Sequence, residues 1–414
     1  MTTDSKNRKG PLSGYTVLEL GSTVAGPFCG RLMADFGADV IKIEPSSGDA
    51  VRAMGMRDKG KSLYASSIFR NKRLISVDLR NKEGQAIVRK IADKVDMLVE
   101  NFRPGTLEKW GLGYEALKKT NPGLVMVRIS GYGQDGPYSD RPGYGIVCEA
   151  VSGLRELTGD PDRPPPRVSI SLTDYITGLY GAFGAVMALN ERDRTGQGQL
   201  IDAALYESAF SFNEPHVPAY SNLGTVATRS GSRLPNNTPN NLYHTSDGRY
   251  IHIAAGAQSV FTRFVKAIGK PELLDDPRFD TALSRNENFE ALDDIINDWT
   301  SSHTLAECEK VVNDSVVPGA RIYNMADIFA DPHYKARGML VETNDQHGDP
   351  VTLAGIVPRL SGNPGEIRWP GREIGADTRD VLSELAGLDS AEIDRLKSEG
   401  VVFEGATDQT EELE

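Results

Sequence analysis

Residues 15–44 read YTVLELGSTVAGPFCGRLMADFGADVIKIE. The apolar run Tyr15–Leu20 reads as a buried strand and Gly21–Pro27 as a loop. Phe28–Phe36 has helical spacing, with Pro27 suited to the first turn, and Asp39–Ile43 reads as a second strand. The pattern continues outward: a strand at Leu74–Leu79, a helix at Glu83–Lys94, and strands at Asp96–Val99 and Leu124–Ser130. Strands rich in Val, Ile and Leu, separated by helices, predict an α/β fold with a parallel sheet covered on both faces. Ligands of such sheets sit beyond the carboxyl ends of the strands. That directs attention to Gly21–Gly26, Glu100–Gly105 and Gly131–Gly136.

Further along, a helix is expected around Ile146–Glu156, then a Pro-rich connector at 161–167 and a long helix from Asp174 to Glu191. Gly178, Gly181 and Gly184 recur every third residue on that helix, a ridge suited to close packing of another backbone. A turn (194–199), a strand (200–204) and a helix (205–212) follow. Residues 221–242 are rich in Ser, Asn, Gly, Thr and Pro and read as a linker or active-site loop. Residues 243–330 read as a smaller α/β unit, with a strand at Tyr250–Ala254 and helices near Val260–Ile268 and Phe289–Trp299. Short strand-like runs between Val341 and Trp369 precede helices near Asp377–Leu385 and Ser390–Glu399. Residues 404–414 hold five acids and no base, and read as a solvated tail.

The chain has 414 residues, 39% hydrophobic and 25% charged, with 46 Lys and Arg against 58 Asp and Glu. This composition excludes wholesale disorder and a disulfide-stapled miniprotein, and the length suits two or three domains. A net charge of −12 argues against nucleic acid or a membrane surface as a general partner. One stretch departs from it: residues 52–73 hold Arg52, Arg57, Lys59, Lys61, Arg70, Lys72 and Arg73 against Asp58 alone. It reads either as a solvated loop face or as a landing surface for a phosphate-rich ligand. Cys29, Cys148 and Cys308 are far apart and odd in number, which predicts neither a disulfide framework nor a zinc site and fits a reducing cytoplasm. The polar N-terminus lacks the apolar core of a signal peptide, and the Val168–Glu191 region, though without Lys or Arg, holds Asp174 and too many Ser, Thr and Gly for a membrane span.

Gly131, Gly133 and Gly136 spell G-x-G-x-x-G after a strand, but Pro137 follows at once. A dinucleotide site needs a helix to open there, so no nicotinamide or flavin is expected. The six histidines show no ligand spacing, and no metal is expected. Asp174 stands at the start of a helix that is otherwise nearly uncharged. It is either a first-turn acid satisfied by free amides or an ionised carboxylate able to attack an acyl carbonyl.

Several segments together carry a resemblance: LELGSTVAGPFCGRLMADFGADVIKIEP, NKRLISVDL, VENFRPG, ISGYGQDGPY, SLTDYITGLYGA, RTGQGQLIDAALYES and IFADPHYKARGML. In this order and spacing, from about Pro11 to Val402, the chain resembles the family III coenzyme A transferases. The resemblance implies a Rossmann-like large domain built from both ends of the chain, a small domain, and an interlocked homodimer. Residues 1–215 would then form the first part of the large domain, 216–330 the small domain with its linkers, 331–402 the return segment and 403–414 the acidic tail. The family's catalytic aspartate falls on Asp174, which exchanges carboxyl groups through aspartyl anhydride and aspartyl–CoA thioester intermediates without metal or redox cofactor. CoA contacts fall on Val24, Ala25, Val77, Arg80, Asn101, Phe102, Arg103, Lys109 and Tyr132. The implied partners are an acyl-CoA and a small carboxylic acid.

The chain also departs from formyl-CoA transferase. Pro45 stands where that enzyme has an arginine, Val24 where it has a glutamine, and Ser230-Gly231-Ser232-Arg233 in the area of its tetraglycine segment. Residues 230–243 look more like relatives acting on malate, citramalate, itaconate or mesaconate, with succinyl-CoA as donor. Two alternatives stand beside this expectation. A 2-methylacyl-CoA racemase of the same fold would need a histidine near Tyr144, and none is there; the other is a CoA-binding protein without catalysis.

Overall fold

The computed structural model describes residues 9–405. Its largest element is a seven-stranded sheet. Strands β1 (Thr16–Glu19), β2 (Asp39–Glu44), β3 (Lys72–Val77), β4 (Met97–Glu100), β5 (Val125–Ser130) and β6 (Leu200–Ala204) stand side by side in the order β3-β2-β1-β4-β5-β6, all parallel. A short strand, Val402–Phe403, adds antiparallel to the outer side of β3. The expected acidic tail therefore starts later than read. Phe403 pairs in the sheet and Glu404 pairs with Arg379 and Lys397; residues 406–414 lie outside the described residues.

Both faces of the sheet are covered, as the apolar strands predict. Leu18, Ile41, Ile75, Val77, Leu98 and Met126 point to one face and pack with Ile87, Val88 and Ile91 of α2 (Lys82–Ala92) and with Ile393 and Leu396 near the C-terminus. Val17, Val40, Met97, Val99, Val125 and Val127 point to the other face. They pack against α1 (Ala25–Asp35) and α4 (Leu172–Thr195), with α3 (Gly145–Val151) and α5 (Leu205–Phe210) alongside. The glycine ridge on α4 is a packing surface. A Cβ on Gly178 would meet the Ala25 carbonyl oxygen at 2.7 Å, and one on Gly181 or Gly184 would meet Val127 or Ile201 at 3.1 Å. Among the described residues no helix is long and apolar enough to cross a membrane.

The chain divides into two compact units. The first holds the sheet and takes in residues up to Leu154, Val168–Pro218 and the chain from Tyr334 on; the second is Arg155–Arg167 with Ala219–His333. The Pro-rich connector thus belongs to the second unit. In that unit an antiparallel sheet of Asn240–His244, Tyr250–Ala254 and Gly319–Arg321 packs with helices Gln258–Ala267, Phe289–Ser301 and Leu305–Asp314 around Phe261, Phe264, Phe279 and Ile296. The 221–242 region begins as the end of a helix, His216–Leu223, and then runs without regular structure to Asn240. The helix expected over Ile146–Glu156 ends at Val151. Gly153 follows with φ +83°, outside helical space, before a 3₁₀ turn at Arg155–Leu157.

The start of β3 differs most from the sequence reading. It begins at Lys72 and not at the apolar Leu74, because Lys72 and Arg73 are themselves interior residues. The Lys72 ammonium donates to Glu19 Oε2 at 2.6 Å and to the Pro27 carbonyl at 2.7 Å. Arg73 pairs with Asp39 and Glu384. Arg70, with no exposed surface, grips Asp35 through two hydrogen bonds of 2.8 and 2.6 Å. Arg52 holds Glu44 in the same bidentate way, and Lys59 and Lys61 pair with Asp345 and Asp349. Arg57 donates to the Arg52 carbonyl. The reading of residues 52–73 as a landing surface for phosphates is therefore corrected: these cations are engaged by the protein's own acids and carbonyls. Sequence hid this because the acids come from positions as distant as 384.

Two outcomes check this account. Lys72→Met should lower unfolding free energy by about 3–5 kcal/mol, the cost of leaving Glu19 buried beside fewer cations. Chemical denaturation measures it, and the Lys72→Met/Glu19→Gln double variant should recover part of the loss. Hydrogen bonds from Lys59 and Lys61 pull the half-buried Asp349 carboxyl down to about 2. A depressed carboxyl stabilises the fold above its unfolded value and ceases to do so as pH falls through the folded one. Replacing both lysines by alanine should return the Asp349 midpoint towards about 3.9 in a carboxyl-carbon NMR titration.

Candidate active site

The sheet reverses its winding between β1 and β4. The chain leaving β1 enters α1 on one face, while the chain leaving β4 crosses the other face through Leu107, Leu112 and Leu117. Two loops departing to opposite faces open a crevice at the carboxyl edge, the usual ligand position in such sheets.

The first loop is fixed by hydrogen bonds at Leu20, Gly21, Ser22 and Thr23. Leu20 N–H donates to the Val99 carbonyl, and the Asn101 side chain clamps Ser22 by accepting from its N–H at 2.7 Å and donating to its carbonyl at 2.8 Å. Thr23 sits at φ +68°, an uncommon conformation for a residue with a Cβ. Its N–H donates to both oxygens of Asp49. Lys42 donates to the Gly21 carbonyl at 2.7 Å and pairs with Asp49 at 2.8 Å. Behind the loop lies a dry ionic cluster. Glu19 stands beside Lys42 in register, and its carboxylate lies between Lys42 and Lys72. The Phe69 ring faces Lys42, Arg52 and Lys72 at 4.8–5.5 Å. Burial opposes the charge on Lys42, but Asp49, Glu19 and Glu44 outweigh it and hold its ammonium above the usual lysine range. Burial dominates at Lys72 and pulls it down to about 8.

The residues expected to meet CoA lie at the end of β3, at the start of α1 and in the segments that follow β1, β3, β4 and β5, on one edge of the sheet. Val24, Ala25 and Val77 are buried, backbone and side chain alike, and the Val24 carbonyl accepts from the Phe28 N–H. Asn101 is committed to the Ser22 clamp. Phe102 packs edge-on against Trp110 at 5.3 Å, and its N–H donates to the buried Glu100 carboxylate, which also accepts from Arg128. Arg103 and Lys109 are exposed and make no ion pair among the described residues. Arg80 is exposed and paired with Asp78. Tyr132 meets Tyr138 and Tyr206 ring to ring at 5.9 and 5.8 Å.

No helix opens after Gly136; the chain continues as a loop to Gly145. Gly131 and Gly143 serve as a crossing point instead, since a Cβ on either would lie 2.7 Å from the other's Cα. This loop delivers Gly145 to Asp174. Asp174 lies in the first turn of α4, where the helix end favours negative charge, and the side chain of the N-cap residue Ser171 makes no capping bond there. Its carboxylate rests against Gly145: a Cβ there would lie 2.0 Å from Oδ2. Burial, then the Asp174 charge, push the neighbouring Cys148 thiol up to about 11, which keeps it protonated, and it donates to the Gly131 carbonyl. On the next residue, the Tyr175 hydroxyl lies 2.7 Å from the Tyr64 hydroxyl.

Sequence reasoning missed Glu19, Lys42, Asp49, Tyr64 and Gly145. The signal for the first two was available: a charged residue inside an otherwise apolar strand, as in VLEL and VIKIE, requires a buried partner.

Residues 12–378 match the family model described as CoA-transferase family III. A succinyl-CoA–D-citramalate CoA-transferase of Chloroflexus aurantiacus is 44% identical over 394 residues, covering 95% of this chain and 98% of that protein. The human succinyl-CoA:glutarate CoA-transferase is 35% identical, with 98% and 92% covered. Among solved structures, a CaiB/BaiF family protein from Brucella suis superposes with a TM-score of 0.81 at 34% identity, covering 91% of this chain and all of that one. A strand–loop–helix frame of this kind, together with a match over nearly the whole length, places the chain in CoA-transferase family III.

Proposed function

We propose that this CoA-transferase moves CoA from succinyl-CoA to a dicarboxylic acid of the malate or citramalate type, with Asp174 as the acyl-accepting nucleophile. The observation that carries the reading is the seat of Asp174: a first-turn carboxylate of a long helix, held against the bare Cα of Gly145. The Chloroflexus and human relatives act on dicarboxylates with succinyl-CoA, by their names.

In the proposed sequence an Asp174 oxygen attacks the thioester carbonyl, forming a mixed anhydride as the carbon–sulfur bond breaks and CoA leaves as thiolate. The thiolate then attacks Asp174 Cγ, giving an aspartyl–CoA thioester and releasing the donor acid as carboxylate. The acceptor carboxylate attacks the same Cγ and expels the thiolate. Attack of the thiolate on the acceptor carbonyl yields the new acyl-CoA and restores Asp174. Every step exchanges one activated carboxyl for another.

For CoA, the reading uses the chain segments around Val24, Ala25 and Val77, the Phe102 face, and the cations Arg80, Arg103 and Lys109, with Asn101 holding the loop and Tyr132 on the far side. It also includes a homodimer. Leu179, Phe183, Val186 and Met187 recur at helical spacing on α4 and are exposed, a stripe suited to a second copy.

Asp174→Ala should remove exchange by about a thousandfold or more while leaving the thermal melt in place. In the wild type, succinyl-CoA followed by hydroxylamine should convert Asp174 to its hydroxamate, seen by peptide mass spectrometry; exchange at wild-type rate in Asp174→Ala refutes the reading. Gly145→Ala should lower kcat by about a hundredfold, because the added methyl must displace the carboxylate.

A further inference from the structure

Arg31 lies on the outer side of α1, one turn after Phe28. Its guanidinium stacks over the Phe28 ring at 4.6 Å, and that ring meets Tyr175 edge-on at 4.8 Å. Tyr175 follows Asp174 directly, and its hydroxyl touches that of Tyr64. The chain of contacts Arg31–Phe28–Tyr175–Tyr64 thus runs beside the proposed nucleophile.

Arg31 is short of negative charge. Its nearest acid is Asp35, 3.5 Å from Nε, and Nε is buried without a hydrogen-bond acceptor. Asp35 is already held by two bonds from Arg70 and one from Asn71. One carboxylate therefore faces two guanidiniums. Burial, then repulsion by Arg70, pull Arg31 down to about 10, whereas Arg73 and Arg128, which face two acids each, are raised. Only 15% of the Arg31 side chain is exposed, so water compensates it poorly. Tyr64 keeps its proton: burial, the Tyr175 hydroxyl and the Asp174 charge all raise it. Of two hydroxyls sharing one hydrogen bond, one retains a free proton to donate.

A guanidinium that shares its nearest carboxylate with Arg70, joined through an aromatic stack to a hydroxyl pair with a proton to donate, is complementary to a carboxylate. We propose that Arg31, with the Tyr64–Tyr175 hydroxyl pair, takes the distal carboxylate of a dicarboxylic acyl group while the proximal carboxyl reacts at Asp174. This makes Arg31 a specificity-determining residue. The inference rests on the CoA-transfer reading and adds to it the group that separates dicarboxylic from monocarboxylic acids.

The test compares glutarate with valerate, which carries a methyl in place of the distal carboxylate, as acceptors from succinyl-CoA. Arg31→Gln should lower the glutarate-over-valerate ratio of kcat/KM by about 10- to 100-fold. Arg31→Lys should retain more of the ratio and Tyr64→Phe should lower it less. Melts within a few degrees of wild type show that the variants are folded. A ratio in Arg31→Gln within twofold of wild type overturns the proposal, as does a wild type without preference. Ligand-observed NMR binding of the two acids reads the site independently of turnover. If no acid receives CoA, the function proposed above fails, and binding still decides here. Glutarate held tighter than valerate by the wild type but not by Arg31→Gln supports the carboxylate site, and equal binding of the two acids by the wild type overturns it.

Discussion

The structure depends on a cluster of charges held out of water beneath the first loop. Glu19, Lys42, Lys72, Asp49 and Glu44 are all buried, and Arg52 closes the group from its edge. Charges removed from water are costly unless each is paired and hydrogen-bonded, so such a cluster tolerates few alternative arrangements. It joins β1, β2 and β3 at their core and reaches the backbone of the loop through Lys42 at Gly21 and Asp49 at Thr23. A loop at an exposed edge is ordinarily mobile. Here its conformation, left-handed Thr23 included, is tied to the electrostatic balance of the sheet.

Small residues make this possible. Glu19 reaches Lys72 because Gly30 of α1 has no side chain; a Cβ there would lie 1.9 Å from Glu19 Oε2. Asp174 occupies the corresponding space at Gly145. In each case a carboxylate is seated against a helical Cα, where no flexible side chain can move aside for it. The first carboxylate has two lysines and is structural. The second stands at a helix terminus beside a protonated thiol and a pair of tyrosine hydroxyls, where the free amides of the first turn favour negative charge.

The strand–loop–helix–strand opening, the parallel pairing of the first strands, the packing role of Gly178, Gly181 and Gly184, and the loop that continues after Gly136 were all legible in the sequence, because each rests on local periodicity or turn chemistry. Asp174 was legible as a first-turn acid. The basic stretch was not: periodicity says nothing of pairing, Arg70 meets Asp35 across the fold, and Arg73 meets Glu384 and Lys59 meets Asp349 only after the return of the chain. Gly145 was invisible for the same reason, since its meaning is the carboxylate that rests on it.

The contrast between Arg70 and Arg31 shows how the same residue type takes different roles around one acid. Arg70 approaches Asp35 with its fork aligned and adds a bond to the Ala354 carbonyl, so each of its three nitrogens donates. Arg31 approaches the same acid four residues along the helix, where α1 geometry leaves only a distant contact with Nε. A fold that needed Arg31 only for stability would gain from an apolar residue over Phe28, because burying a poorly paired cation is unfavourable. Its deficit of negative charge is instead matched by what a dicarboxylic substrate would bring, at the one place along α1 where an aromatic stack connects to the residue after Asp174.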